Sequence, residues 1–302
     1  MSQPKLVLLT GSTGLLGRGM EETALQGYKL LGVHQRPYDV TGSKVRHLVL
    51  DIRDRVAVEN LFAKHKFHAV VHAGGIASVD YVERHYAESL ESNIVGTLNI
   101  TSACRRAGAH LIYVSTNAVF EGKRAPYSET DLVSPVNKYG RLKVECERLV
   151  QETLASWTIL RPILMYGWNH SVCRPNPATW IYEKLLRGEE VSMVDDVTEN
   201  PLYNIQAAQA VWAAVAKKPS GIFHLAGRDA VNRYQFAQRV AKAFGLDASL
   251  IKRVKSSHFP DIAARPPNTT LSTRLMEKTL GVAPVRLDEG LRRMRDAMTA
   301  SA

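Results

Sequence analysis

Cysteine is scarce in this 302-residue chain, which has three: Cys104, Cys146 and Cys173. An odd, widely spaced set with no CxxC pair excludes a disulfide scaffold and a zinc ribbon. It fits a reducing, cytoplasmic setting. Long apolar runs are missing too. No stretch approaches the roughly 18–20 uncharged apolar residues that span a bilayer, so no membrane partner is expected. The N-terminus lacks a secretory pattern, because Pro4 and Lys5 lead into only a short apolar run, Leu6–Leu9. Blocks of five or more basic residues are absent, as are zinc-finger and RNP-type motifs, which argues against nucleic acid. The histidines His68, His72 and His110 fall in or beside strand-like runs and read as structural; no metal site is expected.

What is present is the composition of an ordinary globular protein, 45% apolar and 23% charged, with ample surface to bury. The length is about twice that of a typical domain. The net charge is +10. An excess of seven basic residues over acidic ones sits in Gly221–Ala302, which points to an anionic small-molecule ligand or a solvated basic face.

The first half alternates strand-like and helix-like segments. Short apolar runs at Lys5–Thr10, Tyr28–Val33, Val45–Leu50, Ala69–Ala73, His110–Ser115 and Trp157–Leu160 predict strands covered on both faces. Helical stretches are predicted after the glycine-rich turn and at Val56–His65, Glu88–Ala107 and Tyr139–Leu154. This pattern implies an α/β fold of Rossmann type, a doubly wound parallel sheet that binds ligands at the carboxyl ends of its strands. Residues 1–165 are expected to form a dinucleotide-binding domain, with part of 200–230 returning to the sheet. Prolines break the second half, and residues 166–302 are expected to form mainly a small C-terminal α/β substrate lobe.

Gly11, Gly14 and Gly17 stand in Thr10-Gly11-Ser12-Thr13-Gly14-Leu15-Leu16-Gly17, between an apolar strand and a helix. That context suits a pyrophosphate, since glycine permits close backbone approach and the helix start favours an anion. An acid after the second strand would accept the ribose 2′-hydroxyl of NAD. Here His34-Gln35-Arg36 stands there, with no acid until Asp39. Arg36, with Arg18 assisting, suits a 2′-phosphate, so NADP(H) is favoured over NAD. Asp51 and Ile52 are placed to meet the adenine edge. Ala73, Gly74 and Gly75 end the fourth strand with small residues that leave room for the cofactor.

Tyr139 and Lys143 are four apart and share one helix face. Ser115-Thr116 ends the fifth strand at the same sheet edge. A hydroxyl, a phenol and an ammonium are thereby brought together. Reducing a ketone with hydride requires a proton for the oxygen. A free phenol, with pKa about 10, is a sluggish acid at neutral pH. An adjacent ammonium and an oxidised nicotinamide are expected to lower that value by favouring phenolate, and Thr116 to polarise the carbonyl.

With Gly11-xx-Gly14-xx-Gly17, Asn93 in Asn93-Ile94-Val95-Gly96-Thr97, Ser115-Thr116 and Tyr139-xxx-Lys143, the sequence resembles the extended short-chain dehydrogenase/reductases. It is most similar to the dTDP-4-dehydrorhamnose reductase group, of dTDP-rhamnose biosynthesis. Val114–Gly122, Pro126–Asp131, Pro135–Gly140, Gly221–Gly227 and Arg265–Leu271 carry that likeness, which runs from Lys5 to about Met294. The resemblance implies NADPH reduction of a nucleotide-diphosphate 4-keto-6-deoxysugar. It assigns Thr116, Tyr139 and Lys143 to catalysis. It adds Ser12, Thr13, Leu15, Leu16, Asn93, Pro162 and Ile163 to the cofactor site. It places Ser78, Asp80, Asn117, Asn200 and Arg265 against the sugar nucleotide, Arg265 foremost on the diphosphate. A homodimer is a further expectation. The chain departs from the group at Asn117-Ala118, where an acid and an aromatic usually stand, in the loop after the sixth strand, and in Val197–Leu202. A nucleotide-sugar epimerase or dehydratase stays open as an alternative, although Asn117-Ala118 offers no acid for dehydration. The chain also resembles the regulatory beta subunit of methionine adenosyltransferase, which implies a non-catalytic NADP-binding role as a further alternative.

Overall fold

The computed structural model describes residues 3–38, 42–43, 45–170 and 172–299. Asp39 lies outside them. Seven parallel strands form the central sheet. They are β1 (Lys5–Thr10), β2 (Tyr28–His34), β3 (Arg46–Val49), β4 (Ala69–His72), β5 (His110–Val114), β6 (Trp157–Pro162) and a last strand, Gly221–Leu225. From one edge the order is Gly221–Leu225, β6, β5, β4, β1, β2, β3. The connection reverses between β1 and β4, so the carboxyl ends of these two strands open a crevice.

Helices cover both faces. On one, α1 (Leu15–Glu22) packs against the long helix Asn204–Lys217, joining Leu16 and Met20 to Ala208, Val211 and Trp212. On the other lie α2 (Arg55–Lys64), α5 (Gly96–Ala107) and α6 (Lys138–Thr153), which bury Val58, Leu61, Ile100, Cys104, Cys146 and Val150 over Leu8, Val70 and Leu111. The central strands are apolar along their length because both faces are covered. Two shorter helices, α3 (Val79–Arg84) and α4 (Tyr86–Leu90), lead into α5.

The segment expected as one helix over Glu88–Ala107 is broken by a π-helical turn at Glu91–Val95. Asn93 accounts for it. Its amide Nδ2 donates to the Ser89 carbonyl (2.8 Å) and also to Ile76 O (3.3 Å), taking carbonyl capacity from the regular ladder.

Beyond β6, the chain builds a second core from Ala178, Ile181 and Leu185 of Pro177–Leu186, Phe236 and Val240 of Arg233–Phe244, and Leu287 and Leu291 of Leu287–Thr299. A two-strand parallel sheet, Val191–Val194 with Ile251–Val254, completes it. The helix Asn204–Lys217 and the strand Gly221–Leu225 instead join the main sheet.

Two histidines of the strands are buried and fully engaged. His72 sits between Thr10 Oγ1 (2.7 Å) and Thr97 Oγ1 (3.1 Å), and burial pushes it down to about 3. His110 sits between Ser156 and Thr158 hydroxyls and is pushed down to about 4. Both are therefore neutral, structural groups. The described residues hold no cluster able to ligate a metal. None of their helices is long and apolar enough to cross a membrane.

Candidate functional site

A cleft of about 880 Å³ runs along the carboxyl ends of the strands, from the glycine turn to the second core. Gly11, Gly14, Leu15 and Leu16 form one end, Ala73 and Gly75 the floor, and Thr116, Tyr139 and Lys143 the middle. Pro162, the last residue of β6, and Ile163 close the floor, and Ser78, Asn117 and Arg265 stand at the far side.

The glycine turn fits a bound pyrophosphate. Gly11 has φ +69°, and a Cβ on it would meet Ala73 O at 2.8 Å. A Cβ on Gly17 would meet Ser12 O at 2.0 Å, so Gly17 lets α1 sit down on its own turn. Gly14 caps α1 without a side-chain hydrogen bond, leaving the first-turn N–H groups at the cleft for an anion. Ser12 is engaged through its hydroxyl, with Val33 O (3.3 Å) and His47 Nδ1 (3.0 Å), and Thr13 offers its carbonyl to Cys173 Sγ (2.7 Å). Gly74 N–H donates to Thr10 Oγ1 (2.9 Å). Asn93 lies beneath: a Cβ on Gly75 (φ +127°) would meet its Oδ1 at 2.6 Å. These four residues shape the turn and floor from behind.

The adenosine end is less direct. Arg36 is exposed, and its guanidinium has no ion-pair partner among the described residues. Arg18 is already paired with Glu22 (2.5 Å). Asp51 is held by Arg53 (2.6 Å) and Gln35 (3.1 Å), and the Arg53 guanidinium keeps its carboxyl below the usual range. Ile52 packs where a side chain on Gly96 would stand.

Tyr139 and Lys143 project from the first turns of α6, whose start is fixed by Asn137 Oδ1 accepting from Gly140 N–H (2.9 Å). Gly140 is required there, since a Cβ would lie 2.2 Å from Ala118 O. The Tyr139 ring is buried with Ala118, Leu142 and Val82, and it lines the same cleft as Thr116. In the protein alone, burial pushes this phenol up to about 12. The Lys143 ammonium is engaged elsewhere. Its Nζ donates to Val114 O (2.7 Å) and Tyr113 OH (3.0 Å), and burial lowers its own pKa. The cation that acts on Tyr139 is instead Arg174.

Behind Thr116 lies a buried ion pair. Glu147 accepts from Arg161 Nε (2.9 Å) and Nη2 (2.7 Å), both side chains being only 4% exposed, and from Ser115 Oγ (2.5 Å). It ties α6, β5 and β6 together at the site.

On the sugar side, Asn117 Nδ2 donates to Glu199 Oε1 (3.0 Å) and Thr269 Oγ1 (2.7 Å). Glu199 Oε2 faces Arg233 Nη2 at 2.6 Å without hydrogen-bond alignment. Asp80 and Arg265 pair with each other (2.9 Å), and Asp80 also accepts from Ala263 N–H (3.0 Å). The structure does not bring Asn200 to the cleft: it is buried, clamping Gly227 O, Leu271 O and Leu271 N–H. Glu147, Arg161, Arg174, Glu199 and Arg233 were not singled out from sequence. Of these, Arg161 and Glu199 lie in stretches where the chain departs from the reductases, at the start of the loop after the sixth strand and in Val197–Leu202.

The chain matches the family described as RmlD substrate binding domain over residues 5–300. The protein belongs to that family. Among its relatives, a dTDP-4-keto-6-deoxy-D-glucose reductase of Streptomyces niveus is 29% identical, covering 92% of each chain. Methionine adenosyltransferase 2 subunit beta of Bos taurus is 28% identical over 91% of this chain and 82% of its own length. Among solved structures, a dTDP-4-dehydrorhamnose reductase of Bacillus anthracis, in complex with NADP, superposes with a TM-score of 0.85 at 24% identity. The match covers 97% of this chain and 99% of that one, and it carries the fold.

Proposed function

We propose that this RmlD-family protein is an NADPH-dependent reductase of a nucleotide-diphosphate 4-keto-6-deoxysugar. The observation that carries the reading is the meeting of Thr116, Tyr139 and Lys143 in one cleft that begins at an anion-ready glycine turn. A reductase relative aligned over nearly the full length supports it.

The nicotinamide, when bound, supplies the hydride. The glycine turn holds the pyrophosphate, and Lys143, fixed by Val114 O and Tyr113 OH, binds the ribose. Thr116 orients the ketone oxygen. Tyr139, kept protonated by burial, donates its phenolic proton to that oxygen. Arg36 takes the 2′-phosphate. Losing such charge-assisted bonds costs about 1.5–3 kcal/mol. Arg36→Ala is therefore expected to weaken NADPH roughly tenfold to a hundredfold, with NADH little changed, as measured by fluorescence titration.

The deciding assay follows NADPH absorbance with dTDP-4-keto-6-deoxyglucose and its epimerised form. Substrate-dependent oxidation is expected. Tight NADPH binding with no oxidation of either would overturn the reading. That result would favour a non-catalytic subunit, the reading to which the methionine adenosyltransferase relatives lend weight.

A further inference from the structure

Four cations line the cleft among the described residues: Lys143, Arg174, Arg233 and Arg265. Three are already committed. Lys143 places two of its three donors on Val114 O and Tyr113 OH and has the third for the cofactor ribose, Arg233 stands against Glu199, and Arg265 is held by Asp80 and by Ala263 O (2.8 Å). The guanidinium of Arg174 has no hydrogen-bond or ion-pair partner among the described residues. An uncompensated cation within a net positive cleft is where an anion gains most, because no existing pair must be broken.

The loop that carries Arg174 is also stiffly built. Asn169 Nδ2 donates to the carbonyls of His170 (3.1 Å), Cys173 (3.3 Å) and Arg174 itself (3.3 Å). Asn176 Nδ2 donates to Gly167 O (2.6 Å) and Asn169 Oδ1 (3.1 Å). Pro175 and Pro177 restrict the backbone on the far side. Cys173 Sγ fastens the loop to Thr13 O of the glycine turn. The guanidinium is thus presented on a braced backbone, which lowers the ordering cost of binding. It also lines the same cleft as Thr116, Tyr139 and Lys143.

We propose that Arg174, rather than Arg265, is the residue on which the diphosphate of the substrate docks. This deepens the sugar-nucleotide reading and rests on it. The cofactor's own pyrophosphate is the competing anion, and the test separates the two.

Wild type, Arg174→Met, Arg174→Lys and Arg265→Met are titrated by calorimetry with UDP and dTDP in the presence of saturating NADPH, and separately with NADPH alone. Arg174→Met is expected to weaken nucleoside diphosphate binding roughly tenfold to a hundredfold. Its NADPH affinity stays within about threefold by the same measure. Arg174→Lys recovers part of the loss, and Arg265→Met costs less than Arg174→Met. A loss confined to NADPH assigns Arg174 to the cofactor and overturns the proposal. Unchanged affinity for both ligands overturns it as well. If wild type binds NADPH but neither nucleoside diphosphate, the sugar-nucleotide reading itself falls.

Discussion

Tyr139→Phe is expected to lower kcat for ketone reduction by about 10²–10⁴-fold while leaving NADPH affinity nearly unchanged. The ring packs with Ala118, Leu142 and Val82, and phenylalanine fills the same space, so the loss reports the missing proton donor rather than a disturbed core. The sign of the pH dependence follows from burial, which pushes the phenol up to about 12. At neutral pH the group is protonated, so it is ready to donate in the reductive direction. Reduction should hold a plateau through neutral pH and fall only as alkali removes the proton. The reverse oxidation needs the phenolate and should rise with pH across the same range. Both limbs should vanish in the variant. A Tyr139→Phe enzyme with wild-type kcat and an unchanged pH profile would remove Tyr139 from proton transfer. The measurement is steady-state NADPH absorbance in both directions over pH 6–10, below the phenol's pKa, where reduction should stay level while oxidation climbs with pH.

This tyrosine was legible in the sequence because its chemistry is written at one spacing on one helix. The same holds for the glycine turn, where three glycines, a preceding apolar strand and a following helix are all local. The strands were legible as well, since Lys5–Thr10 and Ala69–His72 are continuous apolar runs and reappear within a residue of expectation. What stayed hidden depends on pairings across the fold. Asp80 and Arg265 were both placed against substrate, yet 185 positions apart they find each other. Asn117 reaches Glu199 and Thr269, 82 and 152 positions away, and Asn200 turns into the structure to clamp Leu271. No period or spacing announces such contacts. The position of Arg174 is hidden for the opposite reason. Its significance is the partner it lacks, and that emerges only when every other cation of the cleft is seen to have one. Likewise, four-residue spacing places Lys143 on the same helix face as Tyr139 but does not say that its ammonium donates to Val114 O.

Glu147→Ala is expected to destabilise the fold by about 3–5 kcal/mol, because it leaves the buried Arg161 guanidinium without its counter-charge. The melting midpoint should fall by on the order of 10 °C. The cost arises from a stranded charge, not from the loss of a strong bond, and a second substitution separates the two. In Glu147→Leu/Arg161→Met both charges are gone and the volume is kept, so most of the stability should return. Activity should not return with it. Glu147 accepts from Ser115 Oγ, and Ser115 precedes the Thr116 that orients the ketone, so the apolar pair leaves that hydroxyl buried and unpartnered. Its negative charge also helps to keep the buried Lys143 ammonium protonated against desolvation. Without it the Lys143 pKa drops further, and cofactor binding should weaken at a lower alkaline pH than in wild type. Calorimetric melting, steady-state turnover and NADPH titration from pH 6 to 10 check both halves. If the double variant regains stability and also keeps wild-type turnover and an unshifted alkaline limb, the ion pair is a structural tie alone. If it melts like Glu147→Ala, the pair contributes through its own attraction, and the stranded-charge account of Arg161 is wrong.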